Sequence, residues 1–195
     1  MKGILFVVSG PSGVGKGTVL EEVFRQDKKL KFSVSATTRE PRPGEVDGVN
    51  YFFVSPEKFD SMIDNGEFLE WAHVHDSRYG TPRGFVEKTL NEGFDCVLDI
   101  DVQGALNVMK NWEGGVYIFM APPAFEDLEK RLRNRHTEDE GRIKERIETA
   151  RWELTKVKEY DYTVVNDVVE KAAEKVRAII EAERSRTGRV DLRFD

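Results

Sequence analysis

The chain of 195 residues contains one cysteine, Cys96, set in the apolar stretch Cys96-Val97-Leu98. A lone thiol in such a run reads as a buried core residue, which excludes a disulfide framework and fits a reducing compartment. No apolar run approaches the ~20 residues of a membrane span. An apolar strand begins directly after Met1-Lys2-Gly3 and leaves no room for a secretory leader, so a cytoplasmic protein off the membrane is expected. Basic residues are fewer than acidic ones, 30 against 36, for a formal net charge of −6. That balance argues against a duplex nucleic-acid surface. Internal repeats and Gly/Ser linkers are also missing. The length suits one domain, or one core with small insertions, able to bury most of its apolar surface.

The densest signal is ILFVVSGPSGVGKGTVLEEVF, residues 4–24. An apolar run Ile4–Val8 enters a glycine-rich turn from Gly10 to Gly15, followed by Lys16. Val19, Leu20, Val23 and Phe24 then recur at helical spacing. Strand, glycine loop, lysine and helix in this order form a P-loop, whose inward N–H groups and helix N-terminus cradle phosphates. The hydroxyl residue that usually follows the lysine is replaced by Gly17, and a hydroxyl arrives one place later at Thr18. A phosphate site is therefore expected without the usual Ser/Thr contact to magnesium. No N-K-x-D guanine motif follows, which argues against a GTPase.

Beyond the loop, helical and strand patterns alternate. Ser55-Pro56-Glu57 opens a short helix that Gly66 ends, and Thr81-Pro82 opens another that closes near Gly93. A strand Cys96–Ile100, a helix from about Gln103 to Lys110 and a strand Val116–Ala121 come next. Phe125, Leu128 and Leu132 mark a helix, and a longer one is expected from about Asp139 to Val157. Tyr162–Val165 reads as the last strand and Val168–Arg184 as the last helix, with a polar tail Ser185–Asp195 expected to fray. Such alternation predicts an α/β fold: a P-loop NTPase-type parallel sheet with helices on both faces. Two regions depart from it. Phe32–Tyr79 offers short β-like pieces and one small helix, a mixed α/β insertion. Arg131–Arg146 is crowded with charge, including Arg131, Arg133, Arg135, His136, Arg142, Lys144 and Arg146. A solvated helix pair has that composition, but beside a P-loop arginines serve to neutralise a migrating phosphoryl group.

At these residues the chain resembles guanylate kinases, P-loop enzymes that phosphorylate GMP from ATP. The resemblance runs from Ile4 to about Ala182. It rests on SGPSGVGKGT at 9–18, FSVSATTREPRPGEVDGVNYFF at 32–53, GEFLEWA at 66–72, RYGTP at 78–82 and LDIDVQG at 98–104. The segment RLRNRHTEDEGRIKER at 131–146 matches as an arginine-rich helical lid. The resemblance implies a core of residues 1–32, 83–130 and 147–195, a GMP-binding subdomain at 33–82 and a lid at 131–146.

It also implies roles for particular residues. Gly10, Pro11, Ser12, Gly13, Val14, Gly15, Lys16, Gly17 and Thr18 would hold the ATP phosphates, with Arg135 and Asn166 toward the ATP base. Arg39, Arg42, Tyr51 and Tyr79 would surround the GMP phosphate, two guanidinium forks suiting a dianion. Ser35, Glu70, Thr81 and Asp101 would form the guanine pocket. There Glu70 can accept the N1–H and N2–H₂ donors of guanine, while a hydroxyl from Ser35 or Thr81 donates to O6. Catalysis would fall to Lys16, Arg39, Arg135, Arg146 and Asp99. Magnesium would arrive with ATP, with Asp99 near it through water and no direct protein ligand assigned. The partners implied are ATP and GMP, for a monomer or weak homo-oligomer. Two alternatives stand beside this: a non-catalytic guanylate-kinase-like peptide-binding module, and a nucleoside-monophosphate kinase for another base.

Overall fold

The computed structural model describes residues 2–74, 76–133 and 140–190. The apolar run after Gly3 forms β1 (Leu5–Ser9), buried along its whole length. It lies at the centre of a five-stranded, all-parallel sheet with β2 (Leu30–Phe32), β7 (Asp95–Asp99), β8 (Val116–Ala121) and β9 (Tyr162–Val165), in the order β2-β7-β1-β8-β9. Strands buried on both faces read as continuous apolar runs, which is why Cys96–Leu98 and Val116–Met120 carry no alternation.

Helices cover both faces. On one side α1 (Lys16–Gln26), α5 (Phe125–Arg133), α6 (Glu140–Thr155) and α7 (Val169–Arg184) pack through Leu20, Val23, Leu128, Leu132, Ala150, Val176 and Ile180 around Phe6, Val8 and Ile118. On the other, α3 (Arg83–Asn91) and α4 (Val102–Asn111) pack Val86, Leu90, Ala105 and Val108 onto Leu5, Val7 and Leu98. Cys96 is fully buried here, and burial pushes its thiol up to about 12, so it stays protonated as expected of a core residue.

The Phe32–Tyr79 region resolves into a second sheet. β3 (Ala36–Thr37), β4 (Phe52–Phe53), β5 (Phe68–Val74) and β6 (Ser77–Pro82) align in the order β4-β3-β6-β5. Helix α2 (Pro56–Asp64) closes it over a small core of Ala36, Phe59, Met62 and Phe68. Ser55 caps α2 by accepting the Lys58 N–H at 3.2 Å. The sheet docks on the main body through α4, where Asn111 Nδ2 donates to Leu69 O at 3.0 Å.

Two expectations need correction. Thr81 does not open a helix: it is a buried residue of β6, and α3 starts at Arg83 with Pro82 as its cap. The side chain of Thr81 is already committed across the sheet, which leaves it unable to cap. The start of the tail is also ordered by chemistry rather than frayed. Thr187–Arg189 form a 3₁₀ turn, and Arg186 and Arg189 both pair with the buried Glu183 carboxylate. Tyr162 Oη donates to that carboxylate at 2.5 Å, so one buried acid gathers the last strand, the last helix and the turn.

Candidate active site

The chain leaves β1 at Ser9 and reaches α1 at Lys16 through a loop that only glycine permits at three points. Gly10, Gly13 and Gly15 have φ of 150°, 83° and 91°. At Gly10 a Cβ would stand 2.2 Å from the Met120 carbonyl oxygen of β8, and at Gly15 it would meet Asn166 Nδ2 at 2.7 Å. At Gly17, by contrast, a Cβ meets nothing within 4 Å, so sterics in the free protein do not account for that glycine. The loop is braced from behind: Asn166 Nδ2 donates to Val14 O at 2.8 Å, and Arg131 Nη1 reaches the same oxygen at 3.5 Å. Asn166, expected toward the ATP base, is here a buried support of the phosphate loop. Lys16 Nζ donates to Gly10 O at 2.9 Å, folding the ammonium over the loop.

Pro11, Ser12, Gly13, Gly15, Lys16, Gly17 and Thr18 line a cleft whose far wall is Asp99, at the end of β7. A second cavity, of about 140 Å³, is lined by Ser35, Tyr51, Thr81 and again Asp99. The adjacent parallel strands β1 and β7 thus bring the loop and Asp99 to one sheet edge, and Asp99 borders both spaces. The surrounding protein raises the Asp99 carboxyl above the usual range, with Lys16 pulling the other way.

Of two opposed residues on β5 and β6, Thr81 lines this second space and Glu70 lines a separate cavity. Glu70 faces Thr81 in register, and Thr81 Oγ1 donates to Glu70 Oε1 at 2.7 Å. Burial raises the Glu70 carboxyl above its ordinary value, the Thr81 bond opposes this, and Asp101 adds to the rise. Asp101 caps α4, its Oδ1 accepting the Gly104 N–H at 2.7 Å. A Cβ on Gly104 would stand 3.1 Å from Glu70 Oε2 and 3.3 Å from Asp101 Oδ1, so this glycine gives both acids their room.

Arg39, Tyr51 and Tyr79 come together as well. Arg39 Nε donates to Tyr79 Oη at 3.3 Å, its guanidinium lies 5.5 Å from the Tyr51 ring, and the two tyrosines meet edge-on at 5.8 Å. Glu45, which sequence reasoning missed, fills the Arg39 fork: Arg39 Nη2 donates to its Oε1 at 2.8 Å and its Oε2 at 2.9 Å. Those bonds, and the Arg42 backbone N–H at 2.7 Å, hold the Glu45 carboxyl below the usual carboxylate range. The Arg39 guanidinium is thus already charge-paired within the protein. The Arg42 side chain lies at the surface beside it. Arg146 is half-buried on α6, whereas Arg135 lies outside the described residues.

Glu153 was also missed. It sits on the buried stripe of α6 after Ile147 and Ala150, 6% exposed, where an apolar residue would be ordinary. An acid on an apolar stripe is the signal that was available.

A glycine-rich loop between a central parallel strand and its following helix, with a small mixed sheet beside it, is the architecture of a P-loop nucleotide-binding protein. A family model described as guanylate kinase matches residues 2–183. The chain belongs to the guanylate kinase family. A guanylate kinase of Caldanaerobacter subterraneus subsp. tengcongensis is 53% identical over 96% of this chain and 91% of its own length. One from Thermotoga maritima is 50% identical over 97% and 91%. The crystal structure of guanylate kinase from Anaplasma phagocytophilum superposes with a TM-score of 0.74 at 35% identity, covering 96% of this chain and 89% of that one.

Proposed function

We propose that this enzyme, an ATP:GMP phosphotransferase, moves the γ-phosphoryl group of ATP onto GMP, and onto dGMP as well, leaving ADP and the diphosphate. The observation that carries the base assignment is the Glu70–Thr81 pair beside Asp101. Guanine presents two adjacent donors to a carboxylate and an acceptor to a hydroxyl. Adenine presents the opposite pattern on that edge and would leave a half-buried acid unpaired. Sites that hydrogen-bond a substrate this way reject a mismatched analogue by about 10⁴–10⁵.

The reaction needs no protein nucleophile. A phosphate oxygen of GMP forms the new bond to the γ-phosphorus as the bond to the bridging oxygen of ADP breaks. The protein aligns the two and meets the spreading charge. Lys16 spans the β- and γ-phosphates, and Arg39, Arg42, Tyr51 and Tyr79 hold the acceptor phosphate. For this Arg39 exchanges Glu45 for the phosphate, one anion for another in the same fork. Arg135 and Arg146 close on the transferring group and exclude water that would otherwise hydrolyse ATP. The ATP base rests against Arg135, while Asn166 acts from behind by bracing the loop that holds the phosphates.

Among the described residues no group of three or more metal-ligating side chains occurs. Asp99, which with Glu21 supplies the carboxylates lining the phosphate cleft, fits a magnesium ion that would arrive on ATP oxygens and keep its waters. When bound, that ion supplies charge neutralisation across the phosphates.

The product test is ³¹P NMR of the enzyme with ATP and GMP. GDP and ADP appearing in equal amounts is the expected result. Release of inorganic phosphate with GMP unchanged would overturn the proposal.

A further inference from the structure

We propose that Ser33 is a further base-recognition residue, its hydroxyl donating to the acceptor edge of guanine formed by O6 and N7. The inference rests on the reading of the second cavity as the seat of the acceptor's base. Ser33 lines that cavity together with Ser35, Thr81 and Leu98, whereas Val34 between the two serines does not. Side chains two apart in extended chain share a face, so both serines are presented to one space. The Ser33 Oγ is buried and has no hydrogen-bond partner among the described residues. A buried hydroxyl is disfavoured until something pairs with it, and an alanine here would carry no such penalty.

Backbone bonds fix where Ser33 stands. Its N–H donates to Val97 O at 2.9 Å, one step past the Phe32–Val97 register of β2 and β7. Ser35 is held in the frame of the small sheet, its carbonyl accepting the Phe52 N–H of β4 at 2.9 Å. The two serines therefore approach one cavity from two different sheets. Guanine carries two adjacent acceptors, O6 and N7, and so calls for donors along that edge. Thr81 cannot supply one while its single proton is given to Glu70 Oε1 at 2.7 Å. Of the three aliphatic hydroxyls on this cavity, those of Ser33 and Ser35 remain to donate.

The test measures kcat and KM of wild type and Ser33→Ala with GMP, 6-thio-GMP and 7-deaza-GMP at saturating ATP. The KM for ATP is measured alongside at saturating GMP. Loss of one hydrogen bond to the base is expected to raise the KM for GMP about tenfold, with the KM for ATP within about twofold. The variant to wild-type ratio of KM should fall toward one with 7-deaza-GMP or with 6-thio-GMP, whichever weakens or lacks the atom that Ser33 reaches. An equal ratio on all three nucleotides overturns the proposal, because a purely structural role takes no account of a single base atom. An unchanged KM for GMP overturns it as well. Chemical denaturation of the free protein checks the orphan hydroxyl: the Ser33→Ala midpoint should match or exceed that of wild type. A variant that is clearly destabilised or fails to fold gives the hydroxyl a partner within the protein and overturns the proposal. Glu70→Ala separates the two readings. An unchanged KM for GMP in that variant removes the base-pocket reading and this inference with it, whereas a raised one with an equal Ser33 ratio on all three nucleotides removes this inference alone.

Discussion

In the proposed function, base choice turns on Glu70. It is half-buried, its charge is disfavoured by burial and by Asp101, and one protein hydroxyl satisfies one of its oxygens. Its free acceptors are then worth most to a ligand with two donors. Glu70→Ala is expected to raise the KM for GMP about a hundredfold, roughly 2.7 kcal/mol, leaving the KM for ATP within about twofold. Steady-state kinetics with each substrate varied in turn would check it, and equal losses for both nucleotides would count against the pocket. Glu70 must be ionised to accept both guanine donors, so GMP affinity falls as pH drops through its raised pKa. For stability, Glu70 and Glu153 are both raised in the folded protein, so each favours folding at low pH and loses that contribution as pH rises.

At the scale of elements, the P-loop was plain in the sequence because glycine spacing, strand and helix are all local signals. Its bracing was not, since Asn166 and Met120 approach from strands more than a hundred residues away. Gly10→Ala is expected to cost about 3 kcal/mol or more in chemical denaturation, since φ and the Met120 carbonyl both refuse a Cβ. An unchanged midpoint would show that the loop is not pinned as described. In α6 the burial pattern of Ile143, Ile147 and Ala150 was readable, whereas the burial of Glu153 on the same stripe was not. Arg146→Ala on the same helix should lower turnover about a hundredfold or more while the melting temperature shifts by only a few degrees. A stability loss as large as the activity loss would make Arg146 structural. Thr81 shows the opposite failure: Thr-Pro before a helical pattern is a sound local start signal, and a cross-strand partner overrode it.

For the whole molecule, alternation in the sequence was enough for a parallel sheet clad on both faces, but the strand order β2-β7-β1-β8-β9 has no local signature. That order is what sets Asp99 beside the loop, while the small sheet places Thr81 on the second cavity that Asp99 also lines. The guanine pocket was legible through family resemblance and not through chemistry alone, because its four residues lie on β5, β6, the segment before β3 and the cap of α4. The proposed function needs a phosphate site at the P-loop and a carboxylate, Glu70, that selects the base of the acceptor. The most direct test is a coupled ADP-release assay with ATP held fixed and GMP, AMP, CMP and UMP offered in turn. Turnover confined to GMP, with the others lower by about 10⁴ in kcat/KM, is predicted. Comparable turnover of AMP would contradict it.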